Sequence, residues 1–351
     1  MTQLYDLTKT FEENIAYGPF WEGKLPKVPT SKHKKKFLGF SLNSPFGVAA
    51  CPLTVNSRFI SLMSKLGYDL LTYKSVRSVE WHGNPFPHWQ HVNLKDQLTS
   101  FASNDAVVAG FNSFENTEPS MANSFGIQSI KPEYWQEDVD VTLSKLSTGQ
   151  LLILSLMCTP KEGEKLVVDA KRLAKLANET KAKMFEINLA CPNTDGGQGL
   201  IYDDIKHSLK LCTIMKKELG NKPLLVKVGY YQDQSAVKKF LEESKGIIAG
   251  ISSTNTYTRK IVTDSGKPGF DAARPMAGVS GAAVRNLSME QAEYIVKCKQ
   301  ELQLKNFVVV GIGGVTKPKH IDQYLDLGVD AVQTAVGAFA NPMLAVEYKK
   351  R

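Results

Sequence analysis

What most constrains this chain is an alternation that runs from Phe37 almost to its end. Short apolar runs are each followed by a stretch with helical spacing. The apolar runs are Phe46–Ala50, Asp69–Ser75, Leu151–Met157, Lys183–Leu189, Leu224–Val228, Ile247–Ser252, Phe307–Gly311 and Ala331–Val336. Helices are expected near Ser57–Leu66, Pro132–Ser147, Glu162–Ala177, Asp203–Leu219, Gln234–Ser244, Ser288–Leu302, Pro318–Leu327 and Pro342–Lys349. Short buried strands alternating with helices read as a parallel sheet. Eight such units make the α/β class with a closed (β/α)8 TIM barrel, whose chemistry sits on the loops after the strands. An open doubly wound sheet is the other arrangement that the pattern allows.

Two segments stand outside the alternation. Residues 1–35 form an N-terminal extension in which Tyr5, Leu7, Phe11, Ile15 and Phe20 fall at roughly helical spacing. An arm packed on the barrel domain of residues 36–351 is expected, with a homodimer contact as its other use. Residues 76–130, after the second strand, are polar and aromatic and too long for an ordinary loop. This insertion is expected to cap the C-terminal face. Between Ser252 and Ser288 the chain reads as irregular.

Composition decides a few broad questions. Five cysteines without a C-x-x-C pair argue against a disulfide framework, a metal site or an iron–sulfur cluster, and fit a reducing cytoplasm. The net charge of +8 suits an anionic ligand. The basic runs 32–36 and 349–351 lie towards the two ends and read as solvated surface rather than a nucleic-acid groove. No signal-peptide succession is present, and the longest apolar run falls far short of the ~20 residues that span a bilayer.

The strand ends carry the chemistry. Lysine inside an apolar strand is costly unless its charge finds a partner, yet Lys74 and Lys227 both end such strands. Together they point to a shared anionic or electron-rich ligand. Gly278-Val279-Ser280-Gly281, Gly311-Ile312-Gly313-Gly314 and Thr334-Ala335 lie in successive units near the last strands, where small residues let backbone N–H groups approach phosphate. The fourth strand runs into Asn188-Leu189-Ala190-Cys191-Pro192-Asn193, followed by Gly196, Gly197 and Gly199. Two amides and a thiol there can form a reaction site under a glycine-hinged lid. A buried strand with a structural cysteine is the plain alternative.

With those residues assembled, the chain resembles the dihydroorotate dehydrogenases, FMN enzymes of pyrimidine synthesis. The resemblance runs from about Phe37 to Ala340 and rests chiefly on Asn188-Leu-Ala-Cys-Pro-Asn193 and Asn123-Ser-Phe-Gly-Ile127. Asn112-Ser-Phe repeats half of the second motif, but only Asn123 is followed by Gly126 and Ile127. The resemblance implies that Cys191 is the base and that Lys74 and Asn188 touch both FMN and substrate. Asn123, Phe125, Gly126, Asn193, Asn255 and Thr256 would surround the pyrimidine. Lys227 would sit by the flavin ring, with Ala50, Ser75, Thr254, Ser280, Gly281, Gly313, Gly314, Thr334 and Ala335 completing the FMN site, and no metal is implied.

A catalytic Cys belongs to the cytosolic branch of that family. The N-terminal arm and the stretches around Asn255-Thr256 and Gly278–Gly281 lie nearer its quinone-using branch. Dihydropyrimidine and dihydrouridine reductases are related FMN barrels, as an inactive flavin-binding barrel would be. The former tend to carry His where Asn193 stands. No G-x-G-x-x-G follows a first strand, which counts against NAD. Fumarate is therefore the favoured electron acceptor, with a quinone or a cofactor-bearing partner subunit as the others.

Overall fold

The computed structural model describes residues 4–94, 98, 106–110, 118–159, 163–190 and 200–351. Eight parallel strands close into a barrel. They are β1 (Phe46–Val48), β2 (Leu70–Val76), β3 (Leu151–Leu156), β4 (Phe185–Asn188), β5 (Leu224–Val228), β6 (Gly250–Ser253), β7 (Val308–Ile312) and β8 (Ala331–Thr334). Each falls within or beside an apolar run of the sequence, and neighbours in the chain are neighbours in the barrel, with β8 closing onto β1. The expected helices form around it, from Ser57–Lys65 to Leu344–Lys349. One short helix, Val336–Ala340, was not expected, since five residues leave no periodic signal.

Side chains alternate between the two faces of a strand, and the inner face changes character along its length. Leu70, Leu151, Ile153, Met184, Leu225, Val308, Val310 and Ala331 fill the lower barrel as one buried cluster, which Phe37 and Leu42 of the small hairpin Lys35–Phe37/Phe40–Leu42 join. Higher up, the same inward rows carry Ser155, Glu186, Asn188 and Lys227. The barrel is dry at one end and polar at the other.

A second sheet covers the polar end. Strands Trp89–His91, Val107–Val108 and Ser120–Asn123 from the insertion combine with a hairpin, Tyr257–Val262 and Met276–Gly281, drawn from the segment after β6. That segment is thus not irregular, and Gly278–Gly281 belongs to a strand rather than a loop. Antiparallel pairing of Gly278 with Asn123 holds the two pieces together.

In the N-terminal arm the helical spacing is realised only over Phe11–Tyr17, where Thr10 and Glu13 form a reciprocal cap and Gly18-Pro19 follows. Tyr5 and Phe11 are buried, and their rings meet the edge of Phe125 at 6.4 and 6.3 Å. At the opposite end Lys349 corrects another expectation. Far from being solvated, it is buried and paired with Asp69 at 2.6 Å. Among the described residues no helix is long and apolar enough to cross a membrane, and no cluster suits a metal ion.

Candidate active site

The upper barrel and the second sheet enclose a cavity with about 1170 Å3 of empty space, part of it open solvent at the mouth. Every predicted site residue that the structure describes lines it: Ala50, Lys74, Ser75, Asn123, Phe125, Gly126, Asn188, Lys227, Thr254, Asn255, Thr256, Ser280, Gly281, Gly313, Gly314, Thr334 and Ala335. Cys191 and Asn193 lie outside the described residues, as does Asn112, while Ala190, just before the cysteine, is in the cavity wall.

Local irregularity brings Lys74 and Ser75 there together. Adjacent strand residues ordinarily face opposite sides, but β2 shifts register against β3 between Tyr73 and Val76. The extra residue is a bulge of the kind that re-aims side chains beside active sites. Both lysines are buried, and neither ammonium has a hydrogen-bond or ion-pair partner among the described residues. Burial pushes Lys74 down to about 8, with Cys51 opposing the shift and Arg77 adding to it. Lys227 is lowered as well, by burial first, against the pull of Glu186 and Cys51. Two dehydrated cations, one on β2 and one on β5, against the single described carboxylate of Glu186, suit the cavity to an anionic ligand.

Amides stand beside Lys227: Asn188 is its register partner on β4, and Asn255 follows β6 on the other side. Asn255 donates to Asn188 Oδ1 at 3.4 Å, and Asn255 Oδ1 accepts from the Thr256 backbone at 2.9 Å. Asn123 donates to the Gly278 carbonyl at 2.9 Å, which orients its amide across the seam between the two halves of the second sheet. Phe125 stacks on His88 with centroids 5.3 Å apart and also meets Trp89 edge-on at 6.2 Å.

At the far end the chain turns after β7 through Gly313 and Gly314, at φ of 133° and 69°. A Cβ on Gly314 would stand 2.3 Å from that of Arg285, so only glycine fits. Thr334 braces the turn by donating to the Val315 carbonyl at 2.7 Å. Glu118, just before the strand Ser120–Asn123, accepts from both terminal nitrogens of Arg285 and pairs with Lys317 at 2.9 Å. The second sheet is thereby tied to the glycine turn.

Three polar or aromatic side chains of the cavity were given no role from the sequence. Trp89 and Cys51 are buried there, and so is Glu186. Burial pushes the Cys51 thiol up to about 11, which keeps it protonated at neutral pH.

Fold and site together define a (β/α)8 enzyme whose capped cavity is built for an anionic cofactor and a small polar substrate. The family model for dihydroorotate dehydrogenase matches residues 112–351. Dihydroorotate dehydrogenase of Dictyostelium discoideum is 33% identical over 98% of this chain and 96% of its own. The catalytic subunit of dihydroorotate dehydrogenase B (NAD(+)) of Malacoplasma penetrans is 24% identical over 88% of each chain. That of Maridesulfovibrio salexigens is 30% identical over 63% of this chain and 68% of its own. The chain belongs to the dihydroorotate dehydrogenase family. Members are FMN-dependent oxidoreductases acting on a CH–CH bond. The residues present fit that group: the cavity has the volume, its two buried lysines outnumber the one carboxylate among its described residues, and its far end is a turn that only glycine can make.

Proposed function

We propose that this chain oxidises dihydroorotate to orotate in pyrimidine biosynthesis, with Cys191 as the base. The observation that carries the reading is the pair of buried lysines, neither with a hydrogen-bond or ion-pair partner among the described residues, in one cavity with the amides. Asn123, Asn193, Asn255 and Thr256 hold the pyrimidine and its carboxylate, because amides supply both the donors and the acceptors that its N–H and C=O edges require. Phe125 and Gly126 complete the substrate side. Lys74 and Asn188 contact substrate and cofactor alike, and Cys191 takes the proton from carbon beside the carbonyl. FMN, when bound, supplies the two-electron sink for the adjacent C–H bond. Lys227 lies by its ring, where a cation favours the electron-rich reduced form. Ala50, Ser75, Thr254, Ser280, Gly281, Gly313, Gly314, Thr334 and Ala335 hold the rest of the cofactor. Denatured protein should release one FMN per chain, and turnover should occur with dihydroorotate but not with uracil or dihydrouridine. Release of FAD, or of no flavin, would overturn the cofactor assignment.

For the electron acceptor we infer fumarate. It is an anion like dihydroorotate, and the wall that holds one can hold the other once orotate leaves. Similarity to catalytic subunits named for NAD(+) favours a second reading, electron transfer to a partner subunit. Stopped-flow mixing of the reduced isolated chain with fumarate, a soluble quinone and NAD separates them. Fast reoxidation by fumarate with ping-pong turnover is expected. Reoxidation by quinone alone would refute it and make the arm the suspected entrance.

The same reading treats residues 1–35 as an arm on a barrel domain of residues 36–351, and places the enzyme in the cytoplasm as a homodimer. Exposed Tyr17 and Leu25 on the arm are the side chains that such a contact would cover.

A further inference from the structure

The lysines are not the only charges inside the barrel. Glu186 is 1% exposed, in the layer where barrels of this kind ordinarily carry branched aliphatic residues. Its Oε1 accepts from Ser155 Oγ at 3.2 Å, and Ser155 shares a second hydrogen bond, at 2.9 Å, with Ser75 Oγ. Its Oε2 is buried at the cavity with no hydrogen-bond partner among the described residues. Leaving a dehydrated carboxylate half satisfied is expensive, and replacing it with an aliphatic side chain would remove that cost.

Strand register shows what the carboxylate faces. Leu225 pairs with Glu186, and Lys227 pairs with Asn188 on one side and Ser252 on the other. Glu186 and Lys227 are therefore inward diagonal neighbours on adjacent strands, within reach of each other as long side chains. Around Lys227, Asn188 of β4 and Ser252 of β6 are uncharged. Among the described residues the other titratable side chains of the cavity wall are Cys51 after β1 and Lys74 on β2. Glu186 is the one carboxylate of that wall among the described residues.

We propose that Glu186 is the counter-ion of Lys227, holding its ammonium charged beneath the cofactor and so raising the pH up to which the site retains FMN. The proposal rests on the FMN reading given above. Burial alone depresses Lys227, and Glu186 is the largest influence acting the other way. Removing the carboxylate makes the lysine lose its proton at lower pH. FMN is anionic, so its hold on the protein then fails at lower pH too. Below both midpoints the sign reverses, because the cavity has lost a negative charge and should hold the anion at least as well.

The test is FMN release on dilution of the holoenzyme, read by flavin fluorescence from about pH 6 to 9.5. Glu186→Gln keeps the shape of the side chain and can still accept from Ser155. Its release midpoint should fall by about one pH unit or more, the lower end of what a nearby opposite charge does. Glu186→Asp keeps the charge but withdraws it by one methylene, and should show a smaller fall. Adding Lys227→Arg to Glu186→Gln should abolish the shift, because a guanidinium does not titrate in this range. A merely structural glutamate predicts weaker retention by the same factor at every pH, which would overturn the proposal. An unchanged midpoint in Glu186→Asp would do so even if the Gln variant fails to fold. Protein without flavin at pH 7 sinks both this proposal and the cofactor reading. Flavin held at pH 7 with identical midpoints sinks this proposal alone.

Discussion

Replacing Cys191 with Ala should leave FMN bound and slow flavin reduction by dihydroorotate by about 10²-fold or more, within the range of general-base catalysis. The expectation follows from what the cavity does and does not contain. Its described wall holds two lysines, amides, hydroxyls, Cys51 and Glu186. Lys74, at about 8, is chiefly a proton donor at neutral pH, and Cys51 is pushed up to about 11. Cys158, at the end of β3, is buried outside this wall, with its carbonyl accepting from Arg77 at 3.1 Å. The proposed base needs a lowered pKa, which neighbouring cations give a cysteine. Stopped-flow absorbance of the flavin reads the reductive half-reaction alone, so acceptor chemistry does not blur the result. A near-wild-type rate would move the base elsewhere. On sequence position Cys158 would then be tested next, but the structure puts Cys51 and Glu186 ahead of it.

The barrel was legible because its strands are buried on both faces, and such strands appear in sequence as plain apolar runs whatever their neighbours are. The second sheet was not. In Tyr257–Val262 the buried positions are Tyr257, Arg259 and Ile261. An arginine on the inner row breaks the alternation that would have marked a strand. Met276–Gly281 carries two glycines, which weaken a strand signal and suit a phosphate loop equally well. Pairing between segments more than a hundred residues apart, such as Asn123 with Gly278, leaves no local trace.

The site was read through its lysines, since a charge at the end of an apolar strand is conspicuous. Glu186 occupies the same kind of position in Phe185-Glu186-Ile187-Asn188, and the same reasoning would have found it. The motif that follows drew attention away. Lys74 was legible as a residue but not as a geometry, because the bulge that turns both it and Ser75 into the cavity depends on the register against β3.

The second large effect lies at the other end of the molecule. Lys349→Met should destabilise the protein by about 3–5 kcal/mol, the cost of removing one partner of a buried ion pair. Lys349 reaches Asp69 at 2.6 Å with both side chains almost fully buried, 3% and 1% exposed. Asp69 also accepts from Ser44 at 2.6 Å and from Gln150 at 3.4 Å. These neutral donors cannot balance the charge alone. Burial raises the Asp69 pKa, and Lys349 is the largest influence opposing it. The pair fastens the last helix, Leu344–Lys349, to the residue that leads into β2, so it closes the dry end of the barrel. Methionine keeps most of the lysine stem, which separates lost charge from lost packing. On the per-residue entropy of unfolding, the expected fall in Tm is about 4–7 °C for a chain of this length. Tm should be compared at equal FMN saturation, because ligand binding shifts it by itself. Adding Asp69→Asn to Lys349→Met should recover part of the loss, since a neutral amide tolerates burial without a counter-ion. Reduction of the flavin by dihydroorotate at 25 °C should stay unchanged, because the pair lies at the opposite end from the cavity. If the single variant unfolds with the wild type, Asp69 is protonated in the folded protein. The terminal helix would then be held by its apolar face alone.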